Sequence, residues 1–176
     1  RLEIFNNIFM SIAEEMGTVL KNTSYSINIK ERLDFSCALF DNKGGLIANA
    51  PHIPIHLGAM SESIKYVIKK NINNIFDGDS FIHNNPYKGG THLPDITVIT
   101  PIFISNQKKP SFYVASRAHH SDIGGITPGS MPSMSKHIDE EGAVFNGEKI
   151  VSKGRLNEEI ILEIFNNNTY PARDTK

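Results

Sequence analysis

The chain has 176 residues, 39% of them hydrophobic and 21% charged, with a formal net charge of -1. That length supports one domain with a real core, or a piece of something larger. The charge balance offers neither the basic excess of a nucleic-acid binder nor an acidic tail, no run approaches the roughly 18–20 apolar residues of a membrane span, and the lone Cys37 excludes an internal disulfide and fits a reducing cytoplasm.

Phe5, Ile8, Phe9, Ile12, Met16, Val19 and Leu20 recur at three- and four-residue steps. This is the period of a helix with one buried face, and it predicts a helix over about 2–22. Glu3, Glu14 and Glu15 within it argue against a signal peptide. "NTSYS" ends the pattern. Lys30, Glu31, Arg32 and Asp34 then form a charged cluster. Such a cluster is usually a solvated face, although Arg32 could pair with an acidic substrate. "FSCALFD" (35–41) and "LIANA" flank "DNKGG", which reads as a hairpin turn. Cys37 sits among apolar neighbours as a small buried hydrophobe.

"APHIPIH" carries two prolines and reads as irregular or extended. His52 and His56 are four apart, but Pro54 between them argues against a shared helical face, so both read first as loop histidines, with residues of a second site as the alternative. Met60, Ile64, Val67 and Ile68 predict a second amphipathic helix from about Gly58 to Asn71. "SFIHN" is a short strand. "ITVITPIFI" and "SFYVASRA", joined through "SNQKKP", read as the arms of a hairpin, with Pro101 suggesting an edge or a bulge. "SDIGGITPGSMPSMSK" is too rich in glycine and proline to be regular, and long loops of this kind are often functional. "NEEIILEIFNNN" predicts a last helix, with Asn157 as N-cap. The fold class is α+β: an antiparallel or mixed sheet, its strands largely between residues 35 and 118, flanked by amphipathic helices.

The hairpin carries the chemistry. With its turn centred near residues 107–108, cross-strand partners have numbers summing to about 214 or 215. Asp95 then faces His119 or His120, with Cβ atoms roughly 4.5–5.5 Å apart. These two histidines point to opposite faces, so only one can join Asp95. His92 lies in the loop just before Asp95, close enough to fold over the same end. Two imidazoles and a carboxylate suit a divalent first-row ion and leave positions open for water or substrate. Asp122 could be a fourth ligand or could orient an imidazole. The glycine pairs at 89–90 and 124–125 match neither GxGxxG nor a P-loop, so the chain carries no recognisable ATP site. They are expected to supply positive φ or close backbone approach.

Six stretches, in order along nearly the whole chain, carry a resemblance: "AEEMG" (13–17), "KERLDFSCALFD" (30–41), "APHIPIHLGAM" (50–60), "NNPYKGGTHLPDITVITPIF" (84–103), "RAHHSDIGGITPGSMP" (117–132) and "EEGAVF" (140–145). The sequence resembles the hydantoinase B/5-oxoprolinase family, which includes B subunits of N-methylhydantoinases, the carboxyl-terminal part of 5-oxoprolinases and a subunit of acetone carboxylases. The resemblance implies that residues 1–176 are the amino-terminal part of a B-type domain about three times as long. It implies ATP-dependent hydrolysis of a cyclic amide, or carboxylation of a ketone. ATP would act through a hydantoinase A-like partner, and the B-type part would hold a divalent ion, Mn²⁺ or Zn²⁺. The family's ligands map onto His92, Asp95 and His119, leaving His120 and Asp122 as orienting or proton-transfer groups. The expected partners are the A-like subunit, the remainder of the B-type subunit and a small substrate, with no nucleic acid and no membrane. A non-catalytic assembly fragment is the alternative from another class.

Overall fold

The computed structural model describes residues 2–50, 53–105 and 107–173. Helices α1 (Leu2–Thr23) and α2 (Ile27–Lys30) lead into strands β1 (Phe35–Asp41) and β2 (Leu46–Asn49). Helix α3 (Pro54–Lys70) follows, then β3 (Ser80–His83), β4 (Asp95–Ile102) and β5 (Phe112–His119), and finally β6 (Asn146–Ser152), β7 (Arg155–Leu156) and α4 (Glu158–Asn166). The strands form one seven-stranded antiparallel sheet in the order β2-β1-β5-β4-β3-β6-β7. The α+β class and the antiparallel sheet agree with the sequence reading.

The sheet extends past residue 118, where the sequence reading ended it. "NGEKIVS" shows weak apolar alternation, and β6 is a strand because it pairs with β3 through Phe81–Lys149 and Ile82–Glu148. Pro101 is not on an edge strand, since β4 lies between β3 and β5. The β3–β4 ladder runs only from Phe81–Ile99 to His83–Thr97, so Pro101 projects beyond β3, where no ladder N–H is required.

Helix α3 covers one face of the sheet, where Met60, Ile64 and Val67 pack on Phe40, Phe81, Ile99 and Tyr113. It starts four residues earlier than expected. Pro54 occupies its first turn, where a missing N–H costs nothing because that donor has no helical acceptor anyway. His56 is therefore helical, while His52 lies outside the described residues. The opposite face is covered at one end by α1, through Ala13, Phe9 and Met16 on Leu39, Ala50 and Val114. At the other end, α4 packs Phe165 against Phe145 and Ile150. The buried side of α1 is built on Ala13 and Gly17, and its larger apolar residues Phe5, Ile8 and Val19 face outward, unlike the buried stripe expected. Asn157 precedes α4 as expected but makes no side-chain cap, and its N–H reaches the Ile150 carbonyl instead. Among the described residues, no helix is long and apolar enough to cross a membrane.

Candidate metal centre

The β4–β5 hairpin sets the geometry. Its register pairs Asp95 with His119 and Ile102 with Phe112, which resolves the one-residue ambiguity in favour of His119. Neighbouring residues of a strand point to opposite faces, so Asp95, Thr97, Arg117 and His119 share the face that α3 covers. The alternation is visible in the burial of β4, where Asp95, Thr97, Ile99 and Pro101 are buried and their neighbours are more open.

The loop before β4 is anchored from several sides. Asn84 is fully buried; its amide donates to the carbonyls of Leu93 and Ala143, and its carbonyl accepts from the Phe145 N–H. Gly89 has φ +93 and lies so close to α3 that a Cβ there would collide with the Ser63 N–H. Only glycine meets both conditions. A turn from the Asp95 N–H to the His92 carbonyl (3.0 Å) then folds His92 back over Asp95.

Three side chains converge as a result. The ligand atoms of His92, Asp95 and His119 lie within 4.8 Å of one another. His92 Nε2 stands 3.2 Å from His119 Nδ1, and His119 Nδ1 stands 3.3 Å from Asp95 Oδ1. Donors about 2.0–2.2 Å from a tetrahedral ion stand about 3.3–3.6 Å apart, close to these two spacings. His92 is 41% exposed and His119 15%, so solvent reaches the cluster from the His92 side.

Asp95 is the hub. It is 2% exposed, yet it accepts from Thr91 Oγ1 at 2.6 Å and lies 3.2 Å from His92 Nδ1 and 3.3 Å from His56 Nε2. Burial alone would disfavour its charge, but the bonds with His119, His56, His92 and Thr91 prevail and hold the carboxyl far below the usual carboxylate range. Asp95 in turn raises the pKa of His119, against the opposing pull of desolvation.

Of two further residues in this constellation, Arg117 was missed in the sequence and His56 was read there first as a loop histidine. His56 is 3% exposed and stands between Asp95 and Asp34, whose Oδ1 is 3.7 Å from its Nε2. Stepping back four residues from Met60 along the helical period would have found it. Arg117 is fully buried. Its guanidinium donates to Thr97 Oγ1 (2.7 Å), Ser63 Oγ (2.8 Å) and the carbonyls of His56 (3.2 Å) and Gly89 (3.3 Å). It thereby ties β4, α3 and the loop together. Desolvation lowers its pKa to about 10, with Asp95 opposing, so it stays cationic at neutral pH.

His120 and Asp122 do not join the cluster. The ring of His120 packs 5.7 Å from that of Phe165, on the opposite face of the sheet, and its Nδ1 accepts from the Asp122 N–H. The Asp122 carboxylate pairs with Arg173 at 2.8 Å and accepts from the N–H groups of Gly124 and Gly129. These contacts pin the glycine-rich loop.

A strand-borne carboxylate and two imidazoles at one end of an antiparallel hairpin form a donor group that could hold a divalent metal ion. The chain belongs to the hydantoinase B/oxoprolinase family, whose description matches residues 1–175. It is 55% identical to 5-oxoprolinase 1 of Arabidopsis thaliana over 99% of its own length, which is 13% of that protein's. Among solved structures it resembles the ATP-dependent caprolactamase of Pseudomonas jessenii, with a TM-score of 0.84 and 29% identity, covering 97% of this chain and 29% of that one. It also shares a fold with an acetone carboxylase (TM-score 0.84, 23% identity, 93% of this chain and 22% of that one). The chain thus spans a minor part of the proteins it resembles.

Proposed function

We propose that this chain forms the metal-holding part of an ATP-dependent enzyme that hydrolyses a cyclic amide. The observation that carries the reading is the convergence of His92, Asp95 and His119 at one end of the β4–β5 hairpin. The names of the relatives support the substrate class, since 5-oxoprolinase and caprolactamase both denote enzymes of lactams.

Mn²⁺ or Zn²⁺ held by these three residues would polarise the amide carbonyl or lower the pKa of a water molecule. Asp95 supplies the offsetting negative charge and is kept ionised by its neighbours. His56 and Thr91 fix its orientation from behind. Arg117 holds the loop that carries His92 against α3. The proton-transfer role expected of His120 and Asp122 draws no support from these contacts.

ATP would enter through a hydantoinase A-like partner, because the sequence carries no phosphate-binding glycine loop ahead of a helix. The outward apolar residues of α1, among them Phe5, Ile8 and Val19, support packing against the remainder of a B-type subunit. The buried free thiol of Cys37 accords with a cytoplasmic site of action.

Metal analysis of the purified chain tests the assignment. Wild type is expected to retain stoichiometric Mn²⁺ or Zn²⁺ after dialysis, and His92→Ala and Asp95→Asn are expected to lose it. Undiminished metal in the His92→Ala protein would remove His92 from the ligand set.

A further inference from the structure

The two central strands of the sheet are covered unequally. On the face of Thr97 and Arg117 they lie under α3, but on the opposite face no helix crosses them. There α1 packs on Leu39 of β1, and Phe165 of α4 packs with Ile82 of β3. Between the two helices runs a cleft of about 460 Å³. Ile96 and Val98 of β4 form its floor with Ser116 and Ala118 of β5, and Leu20 and Ile161 flank it. Val98 lies opposite Ser116 and Ile96 opposite Ala118, so the floor is a single patch two strands wide.

The cleft has the dimensions of a missing helix. Three inter-strand spacings separate β1 from β3, which is roughly 14 Å. A helix with its side chains is about 10–12 Å across, so one fits and two do not. Ser116 and Ala118 are small, which lets a helix approach the sheet closely, as α1 does through Ala13 and Gly17. Val98 is 36% exposed in the middle of a seven-stranded sheet, where a β-branched side chain is ordinarily covered. The apolar surface continues past Leu20 to the outer residues Ile12 and Val19 of α1.

A polar group marks one end of the cleft. Ser26 joins the lining where the cleft meets the end of β5 beside Ser121, and its buried hydroxyl has no hydrogen-bond partner among the described residues. Buried hydroxyls are normally paired. A helix terminus carries backbone groups with no partner inside the helix, so a helix ending at Ser26 would satisfy both.

We propose that this cleft is a docking site for one amphipathic helix from the remainder of the B-type domain. The same fold fills only 29% of the caprolactamase chain and 13% of the Arabidopsis 5-oxoprolinase, so in those proteins it is accompanied by more polypeptide than it contains. Three of the cleft's sides are apolar, so the helix would be apolar over its floor-facing stripe and both flanks and polar only outward. This rests on the reading of the chain as part of a longer B-type subunit.

The test substitutes the chain for the segment it matches in 5-oxoprolinase 1 of Arabidopsis thaliana, with Val98→benzoylphenylalanine as a photocross-linker. Cross-links mapped by mass spectrometry are expected on a helix outside the substituted segment. The pair Val98→Lys and Ala118→Lys is expected to leave the urea midpoint of the isolated chain unchanged and to remove the chimera from the soluble fraction. Cross-links confined to the substituted segment, or a Lys pair that harms the isolated chain and the chimera alike, overturns the proposal. So does a stable dimer of the isolated chain that the Lys pair dissociates, since a second copy would then be the occupant. A wild-type chimera that fails to fold while its parent and the isolated chain both fold also counts against it. Zinc content is read separately: a chimera without zinc but with the expected cross-links overturns the metal assignment and leaves this one standing.

Discussion

The side chains of His56 and Asp95, both buried, meet at 3.3 Å behind the proposed metal centre. A histidine in that position would hold the carboxylate's orientation from outside the group of His92, Asp95 and His119. His56→Leu is expected to weaken metal affinity roughly 10–100-fold while the site still fills at saturating zinc. A competition titration against a chromophoric chelator measures this, and an unchanged affinity would confine His56 to the core.

Arg117 should matter more for stability than for metal capacity. Replacing it with Met leaves Thr97, Ser63 and two carbonyls without their shared donor and removes a cation that interacts with Asp95. The expected loss is roughly 3 kcal/mol in urea unfolding, in the range for breaking a buried, hydrogen-bonded charge.

Acid sensitivity has a source outside the metal centre. His83 is fully buried, its Nε2 meets the Lys88 carbonyl at 3.1 Å, and desolvation lowers its pKa to about 4. The unfolded chain, with an ordinary imidazole near 6.5, binds more protons between those two values. The contribution is thus complete above about pH 6.5 and is lost as pH falls toward 4, by up to roughly 3 kcal/mol. Unfolding curves across that window should flatten in His83→Gln. A slope equal to that of wild type would place the acid sensitivity elsewhere.

Asp122 separates structure from chemistry. Asp122→Ala should release the loop it pins through Gly124, Gly129 and Arg173, and so raise the rate of proteolysis within residues 121–136. Zinc content should not change. A metal-free Asp122→Ala protein would restore this carboxylate to the ligand set.

The parts of the fold that were legible in the sequence were those with strong local patterns. β4 and β5 alternate and are joined by a turn-rich segment, so the pairing of Asp95 with a histidine of "RAHH" followed from counting alone. β6 was not legible, because Lys149 and Glu148 reveal no strand face until β3 offers them partners. His56 was obscured by Pro54, read as a helix breaker although it occupies the turn where proline fits best. Arg117 looked like one charge in a strand, and only the closeness of Gly89 to α3 shows why a buried cation is needed there.

The hairpin that gathers the ligands also keeps them far from its own tip. β5 is zipped to β1 from Phe35–Ala118 to Asp41–Phe112 as well as to β4, so its alignment does not depend on the connection at residues 103–111. Seven residue steps at about 3.3 Å put roughly 23 Å between that connection and the ligand end. A fluorophore or affinity handle grafted at the tip would report on this protein while leaving its chemistry undisturbed.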